Sequence, residues 1–255
     1  MRILIKLGGT LLDDAETRSR LALELAEAAT DNQLVVVHGG GKQMTRYLAE
    51  RGVESRFVNG LRVTTPDVID AVVKIFAGSV NAALVSALRA AGSRPVGLSG
   101  ISAALVDAEI LKPELGQVGK PVHSDAALLE LLTGAGYIPV VACIAGDKNG
   151  AIYNVNADQM AVACGSAFRA EKLVFLTDVE GVRDGEGAVR PALTPAEARD
   201  LIASGAATGG MQAKLEAAIL ALNSGVPEVR IAPGADPQAV RGALSGASQG
   251  TRLTP

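Results

Sequence analysis

Tryptophan is absent from this 255-residue chain, and aromatic residues of all kinds make up only 3% of it. The chain also has only two cysteines and two histidines. Two cysteines exclude a disulfide framework, and so few histidines argue against a zinc site. Cys143 and Cys164 each lie in an apolar segment, which predicts that both are small core residues. No uninterrupted apolar run reaches ~18 residues, so we expect no membrane-spanning segment.

An excess of either charge is also missing. Lysine and arginine total 24, aspartate and glutamate total 27, and the net charge is −3. Without a basic excess the chain has little with which to neutralise a phosphate backbone, which argues against nucleic-acid binding as its main role. The apolar stretch at the N-terminus is too short for a signal peptide, and we expect a cytoplasmic protein.

Glycine, in contrast, is abundant, at 29 of 255 residues, where ~7% is usual. Short apolar segments that end at or near glycine predict buried strands at 2–7, 33–38, 94–98, 137–144 and 172–177. Between and beyond them, helical spacing predicts helices at 16–29, 66–91, 124–135, 156–167, 194–204, 210–224 and 236–245. This alternation predicts an α/β fold, a three-layer α/β/α sandwich with a mostly parallel central sheet.

Three further segments, 57–64, 104–110 and 150–154, have a β-like pattern without long helices between them. We expect them to form hairpins at a sheet edge or beside a binding site. The best internal boundary lies near 168–172, where a new series of strand, loop and helix begins. It divides the chain into an N-terminal lobe, 1–170, and a C-terminal lobe, 171–255.

Two glycine clusters follow predicted strands, Lys6–Thr10 and His38–Lys42. Consecutive glycines let backbone N–H groups converge on an anion, and the N-terminus of a following helix adds its dipole. Tight strand-to-helix turns are the plainer interpretation, but two such loops at strand ends favour a phosphate or carboxylate site. The Walker, dinucleotide-binding and protein-kinase motifs are all absent, so the sequence predicts a different phosphate chemistry.

Four polar segments also lie where a ligand would bind. The guanidinium of Arg62 could bind a carboxylate through two parallel hydrogen bonds. Asn154, Asn156 and Asp158 lie between a predicted strand and a predicted helix. A surface salt bridge would equally explain Arg62, and an N-cap would explain one asparagine. Thr177–Gly181 ends another strand, and Gly209–Lys214 opens a helix whose lysine, taken alone, would be an ordinary solvated side chain.

Together these segments resemble the amino acid kinase family over nearly the whole chain. The matching elements, in family order, are Lys6–Gly9, Val37–Gly41, Asn59–Val63, Val96–Leu98, Asn154–Asp158, Thr177–Gly181, Gly209–Lys214 and Gly250–Arg252. The resemblance implies the fold of that family and transfer of a phosphoryl group from ATP to a carboxylate, carbamate or phosphate oxygen. It is greatest to the members that phosphorylate the γ-carboxylate of N-acetyl-L-glutamate in arginine biosynthesis.

The resemblance also implies roles for individual residues. Lys6 and Lys214 would neutralise the negative charge of the phosphoryl group during its transfer, and Asp158 would orient both lysines. The backbone N–H donors around the phosphoryl group and the acid would be those of Gly8, Gly9, Gly40 and Gly41. The side chains that bind the substrate would be Arg62, Asn154 and Asn156. The ATP pocket would be formed by Asp178, Val179, Glu180, Gly181, Val182, Arg183, Ala206, Ala207 and Thr208. Mg²⁺ would accompany ATP, held largely by phosphates and water rather than by a metal site of the protein.

Alternatives remain open at the level of substrate and activity. One is an N-acyl-2-aminoadipate kinase of a carrier-protein lysine pathway, and another is a non-catalytic nucleotide sensor on the same fold. Residues 99–104 depart from the Asp-Gly pair of many relatives, which affects the expected contacts around the acetyl group. Because the first strand begins near Arg2, we expect neither the extra leading helix of arginine-inhibited relatives nor their hexamer.

The long predicted helix 66–91 carries apolar residues on more than one face. A helix that covers one side of a sheet needs a single apolar stripe, so the second stripe predicts a symmetric homodimer. Packing of the second stripe within the chain is the alternative. We expect the following residues near the two-fold axis: Ala71, Ile75, Gly78, Ala82 and Val85.

Overall fold

Strands and helices alternate along the computed structural model, which describes residues 1–58, 60–246 and 250–255. The strands are β1 (Arg2–Leu7), β2 (Gln33–His38), β3 (Phe57–Val58), β4 (Leu61–Arg62), β5 (Pro95–Ser99), β6 (Val106–Ile110), β7 (Val118–Ser124), β8 (Ile138–Ala142), β9 (Ile144–Gly146), β10 (Ile152–Val155), β11 (Lys172–Thr177), β12 (Ala192–Leu193), β13 (Glu228–Pro233) and β14 (Thr251–Leu253). The helices are α1 (Ala15–Ala28), α2 (Gly41–Ala49), α3 (Pro66–Val72), α4 (Asn81–Ala90), α5 (Ala127–Gly134), α6 (Ala157–Ala167), α7 (Pro195–Ala203), α8 (Gly209–Asn223) and α9 (Ala239–Ser245).

An eight-stranded sheet forms the centre, in the order β12-β14-β13-β11-β1-β2-β8-β5. All neighbouring strands are parallel except β13 and β14. The sheet agrees with the predicted α/β architecture. Strands that precede residue 170 lie on one side of the β1–β11 pair and strands that follow it lie on the other, so the two expected lobes share one sheet.

A second, smaller sheet lies apart from the first. It closes on itself as β10-β7-β6-β9, and β3 and β4 form a separate hairpin. The predicted β-like segments 57–64, 104–110 and 150–154 thus contribute β3 and β4, β6, and β10. Strand β7, which pairs with both β6 and β10, was not among the predicted strands. Its sequence, Val-Gly-Lys-Pro-Val-His-Ser, has a proline and a glycine and shows little apolar alternation.

The core is aliphatic, as the composition predicts. Strands β1, β2, β8 and β11 are almost entirely buried, which is typical of parallel strands covered on both faces. Cys143 and Cys164 are both buried and free, in agreement with their predicted role as small core residues. Burial raises the pKa of both thiols, that of Cys164 to about 12.

The predicted long helix is continuous from Pro66 to Ala90, and a π-helical segment, Val73–Val80, joins α3 to α4. Its length and its mean hydropathy of 1.8 would suffice to cross a membrane, but half of the most apolar window is buried inside the chain. A helix packed on a sheet has the same properties.

The helix buries more of its second stripe than the sequence suggests. Of the residues expected at a two-fold axis, Ala71 and Ile75 are buried within the chain itself. Gly78 and Val85 are half-buried, and Ala82 is exposed. The accessible residues of this set therefore begin at Gly78 and continue along α4.

Candidate functional site

Lys6, Asp158 and Lys214 meet at the carboxyl end of the central strand. Lys6 is the penultimate residue of β1, Asp158 lies in the first turn of α6, and Lys214 lies in the second turn of α8. The Lys6 ammonium is 2.7 Å from one carboxylate oxygen of Asp158, and the Lys214 ammonium is 3.5 Å from the other. Lys6 and Asp158 are buried. One carboxylate therefore holds two cations that come from distant parts of the chain.

The electrostatics of Asp158 follow from this arrangement. Burial by itself raises the pKa of the Asp158 carboxyl, but the ammonium groups of Lys6 and Lys214 lower it by more, and the net effect is a lowered pKa. The backbone N–H of Asp158 donates to the side chain of Asn156, which is the N-cap of α6. Asp158 is thus an ionised carboxylate with a fixed position.

Asn156 has a structural role that accounts for its position. Its side-chain oxygen accepts hydrogen bonds from the backbone N–H groups of Asp158 and Gln159, at 2.9 and 3.2 Å. This is the N-cap interpretation of the segment. The side chain also lines the cavity that contains Asn154, so the cap and a substrate contact are compatible.

The two glycine loops lie against each other next to the lysines. A methyl group built on Gly9 would come within 3.0 Å of the Gly41 nitrogen and 3.3 Å of the Gly40 nitrogen. Gln43 reinforces this contact, because its side-chain amide donates to the Gly9 carbonyl at 3.1 Å. None of the described residues accepts a hydrogen bond from the N–H of Gly9, Gly40 or Gly41. Three backbone donors are therefore available to an anion.

Gly8 differs from the other three glycines. Its N–H donates to the Leu176 carbonyl at 2.9 Å, which extends the pairing between β1 and β11 beyond the end of the strand. This N–H is already used inside the protein. Gly9 has a free N–H, whereas Gly8 continues the sheet, and a phosphate contact from Gly8 stays a prediction.

Gly40 is a position where a side chain does not fit. A methyl group there would lie 2.8 Å from the Phe76 ring, and Phe76 belongs to the π-helical segment. The extra residue per turn of a π-helix changes which side chains face inward. The second glycine loop is consequently packed against the middle of the long helix.

Arg62 is a buried cation that has no acidic partner among the described residues. Its guanidinium donates to the Ser55 hydroxyl, to the Thr45 hydroxyl at 2.8 Å and to the Gly41 carbonyl at 3.2 Å. It also stacks 4.6 Å from the centre of the Phe57 ring, and burial lowers its pKa. Because all of these partners are neutral, Arg62 keeps a full positive charge that an anionic ligand can neutralise.

A cavity of about 160 Å³ connects Arg62 to the asparagines. The Asn154 amide donates to the Thr64 hydroxyl at 3.0 Å, and that hydroxyl donates to the Arg62 carbonyl at 3.0 Å. Thr64 is fully buried and fixes Asn154 relative to the backbone of Arg62. The described lining is completed by Gly39, Gly40, Gly41, Phe57, Gly60, Leu61, Phe76, Val118, Cys143, Val155, Asn156 and Ala157. Asn59, which opens the Asn59–Val63 motif, lies outside the described residues.

The residues expected around ATP lie after β11 and before α8. Asp178 accepts a hydrogen bond from the Thr177 hydroxyl at 3.2 Å, and its pKa is lowered: burial raises it, but hydrogen bonds to the carboxylate and the nearby Lys214 charge outweigh that effect. Gly181 is enclosed by Val189 and Thr251, at a positive φ. Val182 and Ala207 are buried, so contacts from either would use their backbone. The remaining expected residues, Val179, Glu180, Arg183, Ala206 and Thr208, are exposed.

The N-terminus of α8 offers further backbone donors. Thr208 is its N-cap residue, but the Thr208 side chain makes no capping hydrogen bond. No acidic residue occupies the first turn, and the space beside Gly209 and Gly210 is open. A free helix N-terminus with a lysine one turn further on suits a polyphosphate. Within the described residues, no group of three or more His, Cys, Asp and Glu residues could hold a metal ion.

Several site residues escaped the sequence reasoning. Thr64 and Phe76 fix Asn154 and Gly40, and Ser55 and Thr45 hold the Arg62 fork. Each is a common residue type in an ordinary local pattern, and only tertiary contact gives it a role.

Comparison with known proteins gives the family of the chain and proteins of similar fold. Residues 1–233 match the model of the amino acid kinase family. The chain is 63% identical over 254 residues to an acetylglutamate kinase of Solibacter usitatus, covering 99% of both chains.

Two solved structures have a similar fold. One is an N-acetylglutamate synthase from Neisseria gonorrhoeae, with a TM-score of 0.88 and 25% identity, covering 100% of this chain and 59% of that one. The other is a carbamate kinase from Giardia lamblia, with a TM-score of 0.72 and 14% identity, covering 99% of this chain and 98% of that one.

Proposed function

The chain belongs to the amino acid kinase family, and we propose that it transfers the γ-phosphoryl group of ATP to the γ-carboxylate of N-acetyl-L-glutamate. The product would be N-acetyl-L-glutamyl 5-phosphate, an intermediate of arginine biosynthesis. The high identity to an acetylglutamate kinase over the full length supports this substrate. In the structure, the observation that carries the proposal is the pair of lysines held by Asp158 beside three free backbone donors.

The reaction needs positioning and charge neutralisation more than acid–base chemistry. A carboxylate is already ionised at pH 7 and attacks phosphorus without a general base. Negative charge spreads over the phosphoryl oxygens in the transition state, and fixed cations and N–H groups stabilise it there. We assign that task to Lys6, Lys214 and the N–H groups of Gly9 and Gly40. Asp158 holds the two ammonium groups in position and takes no part in bond making.

The binding of the acid follows from the charge on Arg62. Its fork is held by neutral groups, so the α-carboxylate of the substrate would be its first anionic partner. Asn154, fixed by Thr64, would donate to the same end of the substrate. This places the γ-carboxylate toward the glycine loops, where the phosphoryl group arrives.

The nucleotide would lie on the other side of the lysines, over the segment after β11 and the N-terminus of α8. The open N–H groups at Gly209 and Gly210 suit its phosphates. Mg²⁺ would accompany ATP and neutralise phosphate charge when bound. The Asp158 carboxylate is already paired with two lysines, so phosphates and water would supply most of the metal ligands.

Two alternatives differ from this proposal in substrate or activity. An N-acyl-2-aminoadipate is one methylene longer, so its carboxylate would reach further into the same cavity of about 160 Å³. A non-catalytic sensor would bind nucleotide without needing both lysines, yet both are present and paired with Asp158.

Hydroxylamine trapping of the acyl phosphate separates these alternatives. We expect hydroxamate from N-acetyl-L-glutamate with ATP and Mg²⁺, and much less from N-acetyl-2-aminoadipate, aspartate or carbamate. A Lys6→Met variant serves as the control for enzyme-independent product. Greater turnover of N-acetyl-2-aminoadipate would identify that acid as the preferred substrate. Nucleotide binding without any hydroxamate would favour the non-catalytic sensor.

We further propose that the enzyme is a cytoplasmic homodimer with an acid-binding N-terminal lobe, 1–170, and an ATP-binding C-terminal lobe, 171–255. The half-buried and exposed residues Gly78, Ala82 and Val85 support a helix-to-helix contact, because small residues allow close approach. Light scattering should give about 52 kDa, twice the chain mass of 26.0 kDa, and Ala82→Glu should shift it toward the monomer. A wild-type mass of 26 kDa at micromolar concentration would exclude this dimer.

A further inference from the structure

His38 ends β2 immediately before the second glycine loop, and it is completely buried. Its Nδ1 lies 2.9 Å from the Gly39 carbonyl oxygen, and its Nε2 lies 2.9 Å from the side-chain nitrogen of Asn81. A carbonyl oxygen only accepts hydrogen bonds and an amide nitrogen only donates them. Nδ1 must therefore carry the proton and Nε2 must accept. Burial agrees with a neutral ring, since it lowers the pKa of His38 to about 4.

The ring is also held from outside the loop. The Asn81 amide donates a second hydrogen bond to the Val140 carbonyl at 2.9 Å. Asn81 is the first residue of α4, directly after the π-helical segment that packs on Gly40. The His38 ring is thus clamped between α4 and the sheet, and its one remaining donor is committed to Gly39.

This donor determines which way the next peptide points. A trans peptide is planar, with its C=O and N–H pointing in opposite directions. When His38 holds the Gly39 carbonyl inside the protein, the Gly40 N–H is turned away from His38. The Gly40 nitrogen is then close to the first glycine loop, 3.3 Å from where a methyl group on Gly9 would lie, and none of the described residues accepts from it.

We propose that His38 is a positioning residue for phosphoryl transfer: its neutral Nδ1–H ties down the Gly39 carbonyl and thereby aims the Gly40 N–H at the phosphoryl site. The inference rests on the proposed function, because it assigns a role to one donor of that site. It gives the histidine a task that involves neither proton transfer nor contact with substrate.

The test compares two substitutions at one position. His38→Leu fills similar space but has no donor, whereas the amide of His38→Gln can donate to the Gly39 carbonyl. Since loss of a transition-state donor lowers kcat by about 10²–10³, we expect His38→Leu to lower kcat by up to that factor with little change in KM for either substrate. His38→Gln should recover most of the lost kcat.

Thr133→Val is the matched control. It removes another buried side-chain hydrogen bond, from the Thr133 hydroxyl to the Leu129 carbonyl at 2.8 Å on α5. We expect it to lower Tm while leaving kcat unchanged. The proposed role of the His38 hydrogen bond is wrong if His38→Leu keeps the wild-type kcat, or if the leucine and glutamine variants lose kcat equally.

Asn81→Leu covers the case in which His38→Leu does not fold. It keeps the imidazole but removes the amide that links Nε2 to the Val140 carbonyl, so the ring is no longer held in place against the Gly39 carbonyl. We expect a lower kcat at unchanged KM, and an unchanged kcat would overturn the proposal. Absence of hydroxamate from the wild type with every acid would instead reject the proposed function itself.

Discussion

The two lysines should differ in what they contribute to stability, although the proposed mechanism uses them together in catalysis. Lys6→Met and Lys214→Met each remove one ammonium group and keep most of the aliphatic side chain. The Lys6 side chain is 7% exposed and lies 2.7 Å from Asp158, whereas the Lys214 side chain is 16% exposed and lies 3.5 Å away. The shorter, more deeply buried pair is the one whose loss leaves the carboxylate poorly compensated.

The structure gives approximate magnitudes for this difference. Removing one partner of a buried ion pair costs about 3–5 kcal/mol. Because Lys214 stays near Asp158, we expect the lower end, about 3 kcal/mol, for Lys6→Met. For the longer Lys214 pair we expect about 1 kcal/mol. With an unfolding entropy of about 2.1 cal/mol/K per residue over 255 residues, the Tm values should fall by about 6 and about 2 °C.

Catalysis should respond almost equally to the two changes. In the proposed mechanism each lysine neutralises charge that develops only in the transition state, so kcat should fall by about 10²–10³ in either variant, with smaller changes in KM. Thermal unfolding and the hydroxamate assay on the same preparations test both statements. Equal Tm losses would show that the two ion pairs are equivalent, and a near-normal kcat would remove that lysine from the site.

Three further perturbations test other parts of the site. Arg62→Lys keeps the charge but loses the fork, so KM for the acid should rise more than kcat falls; a rise in KM for ATP alone would place Arg62 at the wrong substrate. Gly40→Ala should lower kcat/KM because its methyl group would lie 2.8 Å from the Phe76 ring. Adding Phe76→Leu to this variant should restore part of the activity. Equal activity of the wild type, the single variant and the double variant would show that the loop accommodates the methyl group without loss of function. Because the pKa of His38 is about 4 in the folded chain and ordinarily 6.5, the unfolded chain binds the extra proton between these values. The free energy of unfolding should therefore fall by about 3 kcal/mol from pH 6.5 to 4. Above pH 6.5 the His38 ring should make no further contribution to its pH dependence. Urea titrations at several pH values should show a weaker pH dependence of this free energy for His38→Gln than for the wild type.

Much of the site could be predicted because its residues lie at the ends of regular elements. Lys6, Gly9, Gly40 and Asp158 each lie within about two residues of the end of a buried strand or the start of a helix, and the carboxyl ends of parallel strands meet at one edge of a sheet. Apolar runs that stop at glycine mark those ends in the sequence. The sheet, most helices and the position of Lys6 beside the glycine loops therefore follow from local patterns combined with one rule of topology. The meeting of Lys6 with Lys214 followed only from the resemblance to the amino acid kinase family, because a lone helical lysine gives no signal of its own.

The parts that were missed depend on contacts between distant segments. Strand β7 carries Pro121 and Gly119, and only its partners β6 and β10 make it a strand. The π-helical segment has an ordinary helical sequence, and no spacing rule predicts that Phe76 faces Gly40. The hydrogen bond from Gly8 to Leu176 was missed for a related reason: the pairing extends one residue past the strand, and a glycine motif does not reveal where pairing stops.

The charges left unpaired by the fold favour the binding of anions at this site. Lys6, Lys214 and Arg62 carry three positive charges, and Asp158 is the only carboxylate with which any of them forms an ion pair among the described residues. The free N–H groups of the glycine loops add to the positive potential. Packing alone cannot compensate this charge, because burial penalises every ion without a partner. In the proposed reaction the acid and the nucleotide would supply the missing negative charge, so binding of either should stabilise the fold. The lysine pair would then stabilise the charge on the phosphoryl group as it passes from one to the other.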